Sequence, residues 1–180
     1  MRLFVAAYPP LEVVESLQRE ALRFGDGGRP TPSGQVHVTL QFIGERSMRE
    51  LDETIESVER ACAGQGAMEA LVQRVRTWPV GDQPSMVVAL VDAAPGLLEL
   101  HRRLAVRLAT AKGKTQARSK GEGYEPHLTL ARFAKGKEPE VGEVEIQPIR
   151  FRIDRVRLVS SEVKPSGVEH RRVHELSLGR

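Results

Sequence analysis

The sequence predicts an α+β fold in which two pseudo-symmetric antiparallel-sheet lobes, with helices outside, surround a central cleft. Three observations point there. Short apolar runs bounded by Gly, Pro, Ser and Asp have the length and residue types of strands. Between them lie segments whose apolar residues recur at helical spacing. One strand pattern also occurs twice: His37-Val38-Thr39-Leu40-Gln41-Phe42 is nearly repeated, ninety residues later, by His127-Leu128-Thr129-Leu130-Ala131-Arg132-Phe133. Strand side chains alternate between faces. Each copy therefore sets an imidazole and a hydroxyl on one side and buries Val38 and Leu40, or Leu128 and Leu130, on the other. One copy in each half of a 180-residue chain implies one site between the halves.

The elements follow in order. Residues 2–7 read as a buried strand ended by Tyr8-Pro9-Pro10, because proline cannot continue the pairing. Val13, Val14, Leu17, Ala21 and Phe24 mark a helix over 11–24, stopped by Gly25-Asp26-Gly27-Gly28. A Pro, Ser and Gly loop over 30–36 then leads into the first histidine strand. Gly44 and Glu45 turn the chain into a second helix near 48–63, where Ser47 and Glu50 have the spacing of a capping box. Strands are expected near 68–76 and over 86–91, with Trp78 in the loop between them. Leu97, Leu100, His101, Leu104 and Leu108 give a third helix.

Residues 111–126 are expected to form a loop rich in Gly, Lys and Ser. Pro126 holds Glu125 extended as the second histidine strand begins. A polar loop over 134–149 contains a short strand at Val144-Glu145-Ile146. Phe151 to Ser160 then reads as one long strand, with a bulge near Asp154-Arg155 restoring its phase. A last strand runs from about 171 to 178. With no strong linker, residues 1–180 read as a single domain of two lobes.

Composition narrows the setting. One cysteine, Cys62, excludes an intramolecular disulfide framework and fits a reducing compartment. No stretch reaches membrane-spanning length, and the apolar N-terminus is too short for a signal peptide, so a cytoplasmic protein that does not engage a membrane is expected. The net charge is only +3. Its distribution is uneven: from His101 to Lys137 there are ten Lys or Arg against Glu122 and Glu125, a local field that suits a phosphate-bearing ligand.

The paired motifs suit phosphodiester chemistry. Imidazole titrates near neutrality, so one copy can accept a proton from water or a 2′-hydroxyl while the other donates to the leaving oxygen. Thr39 and Thr129 can donate hydrogen bonds to the non-bridging phosphate oxygens. Arg132 can add charge, but strict alternation places it on the opposite face from Thr129 unless the strand is irregular there. Phe42, Tyr124 and Trp78 are candidates for stacking a base. His101 reads as a packed helix residue, and His170 reaches the cleft only if the last strand returns to it. No Cys cluster, His-Glu-x-x-His helix or close His/Asp set suggests a metal, and no cofactor is implied.

The chain resembles the 2H phosphoesterase superfamily, and within it the RNA 2′,3′-cyclic phosphodiesterases historically called 2′-5′ RNA ligases. The likeness lies in Arg2-Leu3-Phe4-Val5-Ala6, His37 to Glu45, Pro126 to Arg132, and the closing Ser160-Ser161-Glu162-Val163-Lys164-Pro165-Ser166-Gly167. It implies hydrolysis of an RNA-terminal 2′,3′-cyclic phosphate to a 2′-phosphate without metal or nucleotide cofactor. By that resemblance His37 is the acid toward the 3′ oxygen and His127 the base toward water, with Arg132 binding phosphate. The subgroup commonly carries an aromatic residue, usually Tyr, shortly after the closing Gly; this chain has Val168-Glu169-His170.

The expected partner is RNA with a 2′,3′-cyclic phosphate end, or a cyclic nucleotide, acted on by a monomer. Alternatives are an esterase for small cyclic nucleotides or another phosphodiester, reversible 2′-5′ ligation, and a noncatalytic RNA-end binder. Intact His37 and His127 argue against the last.

Overall fold

The computed structural model describes residues 1–81, 83–92, 94–110, 123–140, 142–165 and 167–179. These form nine strands: β1 (Arg2–Ala7), β2 (Arg29–Pro30), β3 (Val38–Glu45), β4 (Met68–Trp78), β5 (Met86–Val91), β6 (His127–Arg132), β7 (Glu143–Ile153), β8 (Arg155–Lys164) and β9 (Gly167–Ser177). Three α-helices accompany them: α1 (Leu11–Ala21), α2 (Leu51–Cys62) and α3 (Pro95–Thr110). None of the helices among the described residues is long and apolar enough to cross a membrane.

The strands share one sheet in the order β7-β4-β5-β6-β3-β1-β8-β9, with β2 on β6, and the ladders between them are antiparallel. The order divides into two halves of four. In one, β1-α1-β3 is flanked by β8 and β9; in the other, β5-α3-β6 is flanked by β4 and β7. The two predicted lobes are thus pseudo-equivalent halves of a continuous sheet, joined where Val38 of β3 pairs with Leu128 of β6.

The helices exchange across that junction. Helix α1 packs on β6, the motif strand of the other half, and α3 packs on β3. Val13, Val14, Leu17 and Ala21 supply the buried stripe of α1, while Leu97, Leu100, Leu104 and Leu108 supply that of α3. Before α2, the Ser47/Glu50 capping box is present, satisfying exposed N–H groups at the start of the turn that leads into the helix. The main core lies between helices and sheet and includes Leu3, Val5, Val38, Leu40, Leu128 and Leu130. On the other face a small cluster of Phe4, Ala6, Val159 and Tyr8 floors the cleft.

Several elements differ from the sequence expectation. The segment 151–160 is two strands, not one bulged strand: β7 pairs with β4 and β8 with β1, so Asp154 marks the passage between halves of the sheet. The short strand expected at Val144-Glu145-Ile146 belongs to the eleven-residue β7. Trp78 ends β4 instead of sitting in the following loop. The last strand starts at Gly167, four residues early, because it pairs with β8 from Lys164 backward. The first helix ends at Ala21 and tightens to a 3-10 turn over Leu22–Phe24. Most of the loop expected over 111–126, with Lys112, Lys114, Arg118 and Lys120, lies outside the described residues, as does Ser166 of the closing segment.

Candidate active site

The junction between β3 and β6 brings the two motifs together. Val38 and Leu128 are antiparallel partners, and carrying that register one residue either way sets His37 across from Thr129 and Thr39 across from His127. Val38 and Leu128 point into the core, both fully buried, so the four polar side chains share the opposite, cleft face.

Each imidazole is held in the same way. His37 Nδ1 lies 2.6 Å from the carbonyl oxygen of Gln35, and His127 Nδ1 lies 2.9 Å from that of Glu125. Only a donor can satisfy a carbonyl, so each Nδ1 carries a hydrogen and Nε2 is left for chemistry. Pro126 contributes by holding Glu125 extended, which aims its carbonyl back at His127.

Aromatic side chains back both rings. Trp78 stacks on His127 with centroids 5.1 Å apart and planes 21° apart, and the Arg76 guanidinium lies 5.0 Å from the Trp78 centroid. Arg76 also donates to Glu125 Oε1 at 2.7 Å. His37 packs against Phe4 at 4.9 Å and Tyr8 at 5.4 Å, and the Arg157 guanidinium lies 4.8 Å from the Tyr8 centroid. Trp78 therefore serves His127 directly, whereas the sequence suggests a base-stacking role.

A bulge in each motif strand settles the position of Arg132. Thr129 pairs with Val88 and Ala131 with Val87, so β6 uses two residues where β5 uses one. That extra residue reverses the alternation after Thr129, and Arg132 emerges exposed on the cleft side, where its charge acts on both His37 and His170. Only a regular strand would have put it on the wrong face. In β3 the same slip occurs between Thr39 and Gln41, and Phe42 emerges opposite Phe4 with ring centroids 6.3 Å apart. Phe42 is 56% exposed and remains available to a base.

Tyr124 does not. Its ring stacks on His101 at 3.8 Å, 8° from parallel, and its hydroxyl donates to Thr39 O at 2.9 Å. His101 Nδ1 in turn bonds Leu40 O at 2.6 Å. The expected base-stacking role is replaced by a strut: a residue three before His127 grips the backbone that carries Thr39. Tyr124→Phe is expected to lower stability by about 1 kcal/mol, read as a shift in the urea midpoint, because Thr39 O loses its donor.

His170 is the residue that sequence reasoning least places here. Gln35 Nε2 donates to Val168 O at 3.0 Å, tying the start of β9 to the loop before His37. His170 then lies edge-on to His37 at 5.4 Å and to Phe4 at 5.0 Å. Burial pushes His37 down to about 4, and the charges of His170, His127 and Arg132 act the same way, opposed only by the bond to Gln35. Its imidazole is neutral at pH 7. Burial, with Arg132, also lowers His170. Among the described residues no three His, Cys, Asp or Glu side chains come together to hold a metal ion.

A pseudo-symmetric antiparallel sheet that sets two His-x-Thr strands side by side is the fold of the two-histidine phosphoesterases. The chain belongs to the 2′-5′ RNA ligase superfamily, whose family model matches residues 9–165. It is 30% identical over 182 residues to a Thermus thermophilus protein named RNA 2′,3′-cyclic phosphodiesterase, covering 99% of this chain and 90% of that one. It superposes on the crystal structure of TT0787 of Thermus thermophilus with a TM-score of 0.85 and 30% identity, covering 99% and 98% of the two chains. The E. coli LigT structure complexed with 3′-AMP shares the fold at TM-score 0.77 and 20% identity, covering 99% of this chain and 98% of that one.

Proposed function

We propose that this protein hydrolyses RNA-terminal 2′,3′-cyclic phosphate to a 2′-phosphate by proton transfer between two imidazoles. The observation that carries this reading is the matched pair of rings, each with Nδ1 committed to a backbone carbonyl and Nε2 free beside the other motif's threonine. The name of the Thermus thermophilus relative points to the same reaction. His127 takes a proton from water as it attacks phosphorus. His37 gives one to the departing 3′ oxygen. Thr39, Thr129 and Arg132 hold the non-bridging oxygens as charge gathers on them. An alcohol in place of water would join a 2′-5′ bond through the same geometry, and hydrolysis dominates in water.

The acid role sets a condition on His37. With its value pushed down to about 4, the ring must take up a proton together with the substrate. A phosphodiester supplies the means, since its negative charge favours the imidazolium and offsets Arg132. In an NMR titration, His37 is expected to titrate near 4 in the free protein and to move toward neutrality when a cyclic phosphodiester is bound to the His127→Ala variant. Binding should accordingly weaken as pH rises through the bound-state value. A His37 resonance that stays near 4 in the complex would exchange the roles, making His37 the base and His127 the acid.

The deciding experiment is incubation, with EDTA present, of a short RNA bearing a 2′,3′-cyclic phosphate, followed by identification of the end formed. A 2′-phosphate supports the reading and its polarity. A 3′-phosphate reverses the leaving group, and no reaction on RNA or on a mononucleotide cyclic phosphate rejects the activity.

A further inference from the structure

Beside His37, on the side occupied by β8 and β9, lies a cavity of about 150 Å³ lined by Tyr8, Gly34, Arg157, Val159, His170 and Arg172. Its polar lining is cationic or proton-donating: two guanidiniums, a phenol and an imidazole, with no carboxylate among the lining residues. His170, one of the lining residues, has its Nδ1 buried without a hydrogen-bond partner. Tyr8 stays protonated, its hydroxyl pushed up to about 12 chiefly by burial, and is therefore a donor at neutral pH.

The guanidiniums are only partly neutralised. Arg157 Nε donates to Glu175 Oε2 at 2.6 Å, Arg172 Nη1 lies 3.5 Å from the same oxygen, and Arg155 Nη1 lies 3.9 Å from Glu175 Oε1. Asp154 Oδ1 lies 4.0 Å from Arg155 Nε. Glu175 thus serves both Arg157 and Arg172 and reaches Arg155 as well, and the excess positive charge lies along the cavity. Each guanidinium carries five N–H donors in a planar fork suited to phosphate, and Glu175 engages few of them.

The position of the cavity relative to the chemistry identifies the anion. If the 3′ oxygen leaves toward His37, the ribose lies on the His37 side and water enters from the His127 side. The next phosphate toward the 5′ end of the RNA therefore extends beyond His37, toward β8 and β9. We infer that Arg157, Arg172, His170 and Tyr8 form a second phosphate subsite that takes the phosphate on the 5′ side of the terminal nucleotide. The inference rests on the proposed cyclic-phosphate hydrolysis and names its substrate class: an RNA end in preference to a free nucleoside cyclic phosphate. Sequence reading passes over Arg157 and Arg172 because they sit in strands without a motif.

The test compares adenosine 2′,3′-cyclic phosphate with the same compound carrying a 5′-phosphate. In the wild type the 5′-phosphate is expected to raise kcat/KM by about tenfold or more, mainly through KM, as a charge-assisted contact would. The gain should shrink as salt is raised. In Arg172→Met, an exposed position whose loss does not threaten the core, the ratio between the two substrates should fall to near one, and Arg172→Lys should restore part of it. A wild-type ratio near one, or a ratio unchanged in Arg172→Met, overturns the subsite while leaving the hydrolysis reading intact. Failure to hydrolyse either compound or a cyclic-phosphate RNA overturns both.

Discussion

His127→Ala and His37→Ala are each expected to lower turnover on a cyclic-phosphate RNA end by about two to four orders of magnitude, the contribution of a positioned acid or base. The structure explains why no neighbour can substitute. Thr39 and Thr129 share the face but do not titrate near neutrality. His170 lies edge-on to His37, but on the side of Phe4 and the β9 strand. The two losses should not add. When both groups act on one transition state, removing the second costs little once the first is gone, so the double variant should resemble the worse single variant. Thr39→Ala and Thr129→Ala, which remove one hydrogen bond each, should lose less. His127 is half-buried and backed by Trp78, so its alanine variant should keep its denaturation midpoint near that of the wild type, separating chemistry from folding. Near-normal turnover in either histidine variant would remove that residue from the mechanism.

The candidate site is legible to the extent that period and repetition encode it. His37, Thr39, His127 and Thr129 can be placed on one face because strand alternation is a local rule, and their repetition shows that two local patterns serve one place. What escapes the sequence is what depends on partners. Neither bulge that carries Phe42 and Arg132 into the cleft has a glycine to announce it; each exists because β3 and β6 must satisfy neighbours with different registers. Asp154 reads as a bulge because no Gly or Pro marks the change of strand partner there. The aromatic backing misleads for a related reason. Tyr124 and Trp78 stand near the motifs and look free for a base, but each meets an imidazole brought from another element: His101 from α3, and His127 from β6. His170 lies in the strand that returns beside Phe4, a closure that no pattern in residues 165–178 reveals.

Leu128→Ala is expected to cost about 2–5 kcal/mol, the range for a buried leucine truncated to alanine. For a chain of this length that corresponds to a fall in Tm of several degrees or more, at about 2–4 °C per kcal/mol. Leu128 has no exposed surface and belongs to the core under the helices, so little collapse can fill the cavity left behind. It is also the residue through which the halves of the sheet meet, paired with Val38 between the two imidazoles. A cavity there loosens the one register that sets His37 opposite Thr129 and Thr39 opposite His127. The same substitution should therefore lower kcat well below the melting range, where the protein remains folded, because a displacement of either ring by a fraction of an ångström spoils proton transfer. Val38→Ala removes fewer methyl groups from the other side of the junction and should move both quantities in the same direction by less. Leu128→Met keeps the volume and should cost less than about 1.5 kcal/mol with turnover largely retained. Urea denaturation and initial rates on all three variants check the argument. A Leu128→Ala protein that lost stability but kept its turnover would show that the helices and the carbonyl bonds to each Nδ1 hold the site together without this contact, and that the junction is packing alone.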